Sequence, residues 1–94
     1  MKYSKHATKR CRQRALPNEV VDLLMSLGDE FRSRRGARIK TLVSKYAKRE
    51  FIQELKSKGI RRKENWCDAY LVVGSCGTII TAGYRYKKLH NRIY

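Results

Sequence analysis

Acidic residues are missing from both ends of this chain. Met1–Asn18 holds six Lys or Arg and no Asp or Glu, and Ala69–Tyr94 holds four Lys or Arg and again no acid. All eight carboxylates fall between Glu19 and Asp68. A basic surface scattered at random would mix in some acids. Two acid-free ends point to one continuous positive face, if the fold brings them together. Such a face repels itself and makes sense mainly opposite a polyanion. No apolar run approaches the roughly 20 residues of a membrane-spanning helix, and the opening Met1–His6 lacks the apolar stretch of a secretion signal. A cytoplasmic protein without a membrane partner is expected. The three cysteines, Cys11, Cys67 and Cys76, are odd in number and have no Cys-x-x-Cys spacing. This argues against a disulfide framework and against a four-ligand zinc site, leaving small buried or half-buried thiols. Phosphate-loop and dinucleotide signatures, internal repeats, linkers and low-complexity segments are absent as well.

What the chain does have is positive charge. The net charge is +15 and the pI about 10.3. These values rank the partner classes: nucleic acid first, an acidic protein second, an anionic membrane surface third. Ninety-four residues, 41% of them hydrophobic, are enough for one domain spanning residues 1–94 with a modest core.

The pattern along the chain reads helix, helix, strands, helix, hairpin. Ser4 is the expected N-cap of a helix from Lys5 to Ala15, on which Ala7 and Cys11 form a narrow apolar stripe. Leu16-Pro17-Asn18 interrupts it. A second helix opens at Pro17 or Asn18, with Val20, Val21, Leu24 and Leu27 at helical spacing, and Gly28 stops it. Strands are expected over Glu30–Arg34 and Ala37–Ser44, around a turn at Arg35-Gly36. Lys45–Lys58 is helical, with Tyr46, Phe51, Ile52 and Leu55 as its apolar residues and Gly59 as its cap. Arg61–Asn65 reads as a charged, solvated loop. Ala69–Val73, the turn Gly74–Gly77 and the returning Thr78–Tyr84 form a hairpin. Strict alternation puts Ile79, Thr81, Gly83 and Arg85 on one face of the last strand, and Ile80, Ala82, Tyr84 and Tyr86 on the other. The fold class is α+β: two N-terminal helices and one further helix on one side of a small antiparallel sheet that ends in a C-terminal hairpin. The edge strands of such a sheet can pair into a dimer or accept a strand from a partner.

Several residues carry possible chemistry. His6, Arg10 and Arg14 stand at i, i+4 and i+8 of the first helix, with Gln13 beside them. Cleaving RNA without metal needs a base for the 2′-OH, a cation for the phosphorane and an acid for the leaving oxygen. His6 is a candidate for the base or the acid, since histidine as a residue type has a reference pKa near neutrality. Arg10, Arg14 and Arg85 have the planar forks that clamp phosphate. Thr81 or Tyr84 can orient it, Tyr86 can stack on a base, and Lys87, Lys88 and Arg92 add phosphate contacts. The catalytic set is therefore His6, Arg10, Thr81 and Arg85, and the binding set Arg14, Tyr84, Tyr86, Lys87, Lys88 and Arg92. Each also has a plainer role: a helix-capping polar group for His6, a helix coat for Arg10 and Arg14, an ordinary strand residue for Thr81. His90 lies in the tail and is given no catalytic role, and Trp66 reads as a core anchor. Neither a metal nor another cofactor is expected, because Glu19 and Asp22 find no third ligand and Glu54 and Lys56 point to different helix faces.

The order of several short pieces resembles a known family. They are His6-Ala7-x-x-Arg10-x-x-x-Arg14, then Leu16-Pro17 and a Val/Leu-rich helix, then Arg35-Gly36-Ala37 before a strand. Tyr70-Leu71-Val72-Val73 and Gly77-Thr78-Ile79-Ile80-Thr81-Ala82-Gly83-Tyr84-Arg85-Tyr86-Lys87 complete the order. It is similar to that of a bacterial family of small basic toxin-like proteins, themselves related to the RelE, HigB and BrnT toxins. Members usually have Gly where this chain has Ala15, and often a second His where it has Tyr84. The resemblance implies a RelE/BrnT-like α+β domain and a metal-independent, mRNA-cleaving endoribonuclease. It implies RNA, free or on the ribosome, and an acidic antitoxin as partners. The readings from the residues alone remain beside it: a nucleic-acid-binding module without catalysis, or a basic interaction protein.

Overall fold

The computed structural model describes residues 2–33 and 36–85. Three helices, α1 (Lys5–Gln13), α2 (Asn18–Leu27) and α3 (Lys45–Ser57), accompany four strands, β1 (Asp29–Arg32), β2 (Arg38–Thr41), β3 (Ala69–Val73) and β4 (Ile79–Tyr84). The strands form one antiparallel sheet in the order β1-β2-β3-β4. The architecture is α+β. A short 3-10 helix, Glu64–Asp68, replaces part of the expected charged loop, and it carries Trp66 into the core, where the indole is 3% exposed.

Local chemistry sets the helix ends. Ser4 Oγ accepts from the Ala7 N–H at 2.9 Å and caps α1. Ser44 does the same for α3 through Ala47 N–H at 3.0 Å. One oxygen of Asp29 also accepts from the Val43 and Ser44 amides at 2.8 and 2.9 Å, tying the start of α3 to the first strand. Gly28 ends α2 with an extended backbone. The glycine is needed there for close approach: a Cβ would lie 2.5 Å from the Leu24 carbonyl oxygen.

The core collects Ala7 and Cys11 of α1, Val20, Val21, Leu23 and Leu24 of α2, and Ala47, Phe51 and Leu55 of α3. They meet Leu42, Trp66, Ala69, Leu71, Val73, Ile79 and Ala82. α1 lies along β4, α2 lies over β2 and β3, and α3 packs mainly on α2. Two sequence expectations for α3 are corrected. Tyr46 is 64% exposed, and Ile52 is only partly buried, because the buried stripe runs through Ala47, Phe51 and Leu55.

The face assignment of the last strand is also corrected. Val72 pairs with Thr81 but Val73 pairs with Ile79, so Ile80 is an extra residue, a β-bulge. The bulge shifts the alternation by one. Ile79 turns inward with Ala82 and is fully buried, while Ile80 is 41% exposed. The displaced Ile80 carbonyl accepts from Ser4 Oγ at 2.9 Å. Around it, Ser4 N–H donates to Ile79 O and Ile79 N–H donates to Lys2 O, both at 2.9 Å. The chain start is thereby laid parallel along β4 at Ile79. This anchor fixes where α1, and so His6, begins.

Candidate nucleic-acid interface

Burial of Ala7 and Cys11 turns one side of α1 to the sheet and the rest outward. Lys5, His6, Lys9, Arg12 and Gln13 are exposed, and Arg10 is half-buried on the flank. Arg10 Nε donates to His6 Nε2 at 3.4 Å, the long end of hydrogen-bond range, so that nitrogen serves as the acceptor. Among the described residues, no carboxylate lies within 4.0 Å of any basic group of α1. The ion pairs instead join Glu30 to Arg38 and Lys40, and Asp68 to Arg85. Among the described residues, the outward face of α1 is therefore positively charged and unneutralised at contact range.

Tertiary packing extends this face beyond α1. Trp66 Nε1 donates to the Ala15 carbonyl at 3.2 Å, drawing the segment before it against the end of α1. A shallow depression results, lined by Arg12, Ala15, Pro17, Lys63 and Trp66 among others. Lys63 thus joins Arg12, although the two are far apart in sequence. Nothing in the linear pattern marks Lys63 out from its neighbours Arg61 and Arg62. Adjoining it, and sharing Cys11, Arg12 and Leu16 with it, a groove of about 390 Å³ is lined by Tyr3, Thr8, Cys11, Arg12, Leu16 and Asn18. Burial, followed by the charges of Cys11, Asp22 and Glu19, raises the Tyr3 phenol above its ordinary pKa. The acids of α2 thus border the basic face on this side.

The other sequence candidates are dispersed. α1 runs parallel to β4, and the Tyr84 hydroxyl donates to the Arg14 carbonyl at 2.6 Å, so the far ends of helix and strand meet. Tyr84 packs on the helix side of the sheet, and burial, opposed by the nearby Arg14 charge, raises its pKa. Arg14 is half-buried and its Nε is buried without a partner. Thr81 pairs with Val72 and points to the face away from α1. Arg85 has a side chain only 9% exposed. Its Nη2 donates to the Leu42 carbonyl at 2.9 Å and the Cys67 carbonyl at 3.1 Å, with an Asp68 oxygen at 3.6 Å.

The structure therefore brings His6 and Arg10 together and joins Arg14 to Tyr84, but it does not gather His6, Thr81 and Arg85 at one point. The stretch of α1 from His6 to Arg14 alone spans about 12 Å of helix axis, and the Arg85 guanidinium is held in a carbonyl clamp. Tyr86, Lys87, Lys88 and Arg92 lie outside the described residues.

No family model, curated protein or solved structure matches the chain. Among the described residues there is no cluster of three or more His, Cys, Asp or Glu able to hold a metal, and no helix long and apolar enough to cross a membrane. All three cysteines are free thiols.

A second basic surface was missed in the sequence. Lys45, Lys48, Arg49, Ile52, Gln53 and Lys56 line a groove of about 530 Å³ along α3. Their spacing, i, i+3, i+4, i+7, i+8 and i+11, is that of one helix face, and this was the signal that could have revealed it.

Proposed function

We propose that this protein binds nucleic acid through phosphate contacts on the outward face of α1, with Lys5, Lys9, Arg10, Arg12 and Lys63 as the contacting cations. RNA is the ligand that the toxin-like resemblance implies. One observation carries the reading: along α1 no described carboxylate stands within contact range of a cation. Cations at such a face release condensed counterions when they meet phosphates, and that release drives binding. Free thiols suit a reducing, cytoplasmic setting.

The His6–Arg10 contact favours a second reading, metal-independent RNA cleavage. His6 would take the 2′-OH proton and Arg10 would stabilise the phosphorane. The acid for the leaving oxygen would come from Lys5 or Lys9, since His6 is already the base. An acidic antitoxin is the partner this reading implies. A partner strand or a second copy would add to an edge strand of the sheet.

The test is binding and cleavage of end-labelled RNA in EDTA, with and without ribosomes. Removing Lys5, Lys9 and Arg12 together should flatten the salt dependence of binding, by about 0.7 in the log–log slope for each phosphate no longer neutralised. Unchanged affinity and slope in that triple variant would sink the α1 interface. RNA that is cleaved by the wild type and spared by His6→Ala would establish the second reading.

A further inference from the structure

The groove on α3 lies apart from the α1 face, since α1 is docked on β4 and α3 on α2. Its lining is chemically specific. Lys45, Lys48, Arg49 and Lys56 ring a floor made by the partly buried Ile52 and by the lysine stems, with Gln53 beside them. The two acids of α3, Glu50 and Glu54, fall on the other flank by helical spacing. Acids and bases at i, i+4 stabilise a helix, and Glu54 and Lys58 are so spaced, but on the groove side Lys45 stands over Arg49. Like charges are neighbours along the groove. This self-repulsion is relieved by a partner of opposite charge.

We propose that the α3 groove is a docking surface for an acidic amphipathic helix of another protein. An apolar side chain of that helix sits on Ile52. Carboxylates one turn apart meet Lys45 and Arg49 on one side of Ile52, with Lys56 further along that side, and another carboxylate meets Lys48 on the other side. Ridges of one helix packing into the groove of another match this geometry. The apolar floor selects protein over nucleic acid, because a phosphate backbone has nothing to place on Ile52. Docking here is independent of RNA binding at α1. A partner seated on α3 leaves α1 open, so the two ligands bind together.

The probe is a fluorescein-labelled helical peptide with a leucine ridge flanked by glutamates, followed by anisotropy on the full chain. The controls are the same peptide with serine in place of leucine, and an oligouridylate. Lys48→Glu combined with Arg49→Glu changes two surface side chains, and its fold is checked by circular dichroism. The double variant should bind the leucine peptide at least about ten-fold more weakly, and the serine peptide should bind the wild type as weakly. The oligouridylate should not displace the leucine peptide. Equal binding of the two peptides, or an unaffected double variant, would overturn the proposal. Displacement by oligouridylate, weakened by the same double variant, would reassign the groove to nucleic acid. Failure of the α1 reading is separately visible, as oligouridylate binding indifferent to Lys5→Ala and Lys9→Ala.

Discussion

Ala15 and Gly59 hold the same position in two matching helix-terminating turns. After α1, Ala15 N–H donates to Arg12 O at 3.3 Å and Leu16 N–H to Cys11 O at 2.9 Å. After α3, Gly59 N–H donates to Lys56 O at 3.0 Å and Ile60 N–H to Leu55 O at 2.9 Å. Both residues take left-handed backbones, with φ of 53° and 70°. For glycine that conformation is free of strain, whereas for alanine the Cβ crowds the following carbonyl. Ala15→Gly should therefore stabilise the fold by about 0.5–1 kcal/mol, after allowing for the looser unfolded chain. Gly59→Ala should destabilise it by a similar amount. Paired urea melts check both, and a less stable Ala15→Gly protein would refute the argument.

Arg85 is expected to be a structural residue. Truncation strands the Leu42 and Cys67 carbonyls that its guanidinium joins. Arg85→Ala should lose on the order of 2–3 kcal/mol. Arg85→Lys should retain part of the stability, and once folded should bind RNA as the wild type does. Wild-type stability together with abolished RNA binding in Arg85→Ala would return this residue to the phosphate site.

Tyr84→Phe should cost about 1 kcal/mol at neutral pH, because the bond to the Arg14 carbonyl disappears. Burial holds the phenol above its ordinary pKa of 10.0 in the folded protein. A pKa raised by folding gives stability that is complete below the unfolded value and lost as pH rises through the folded one. The advantage of the wild type over Tyr84→Phe should thus shrink once pH passes that ordinary value. Thermal melts of both proteins between neutral and alkaline pH measure the gap; a constant gap would contradict the burial argument.

Cys76 should be the first thiol alkylated. It is exposed in the β3–β4 turn, with its sulfur 3.2 Å from the Thr78 hydroxyl. Hydrogen bonds from Thr78, side chain first and then backbone, pull its pKa below the ordinary value, with a smaller contribution from Lys2. Burial pushes Cys11 the other way. Iodoacetamide mapping by mass spectrometry should rank Cys76 ahead of Cys11, and Thr78→Val should move the pH midpoint of the Cys76 reaction upward. Equal rates at the two thiols would show that the turn does not activate Cys76.

Much of the architecture was readable before folding. Ser4 marked a helix start because its hydroxyl satisfies a local amide, and β3 was placed residue for residue because an apolar run before a Gly-rich turn has few alternatives. The last strand was misread at its first two residues. Alternation assumes one residue per rung, and the extra residue at Ile80 is set by the pairing of Ile79 with Val73 and by the bond from Ser4 to the Ile80 carbonyl, contacts with residues distant along the chain or across the sheet. Arg85, outward by alternation, is instead claimed by carbonyls distant in the chain, those of Leu42 and Cys67.

The candidate site divides along the same line. His6 and Arg10 were legible as neighbours because one helix holds both, and helical spacing is a property of the local backbone. Their separation from Thr81 and Arg85, and the arrival of Lys63 beside Arg12, were not legible, since each depends on how separate elements pack. The sequence by itself determined the helices, the hairpin and the excess of positive charge, because capping, periodicity and composition act over a few residues. Only the tertiary structure decided which charges share a surface, because that depends on the bulge at Ile80 and on Trp66 reaching Ala15, contacts between residues far apart in the chain.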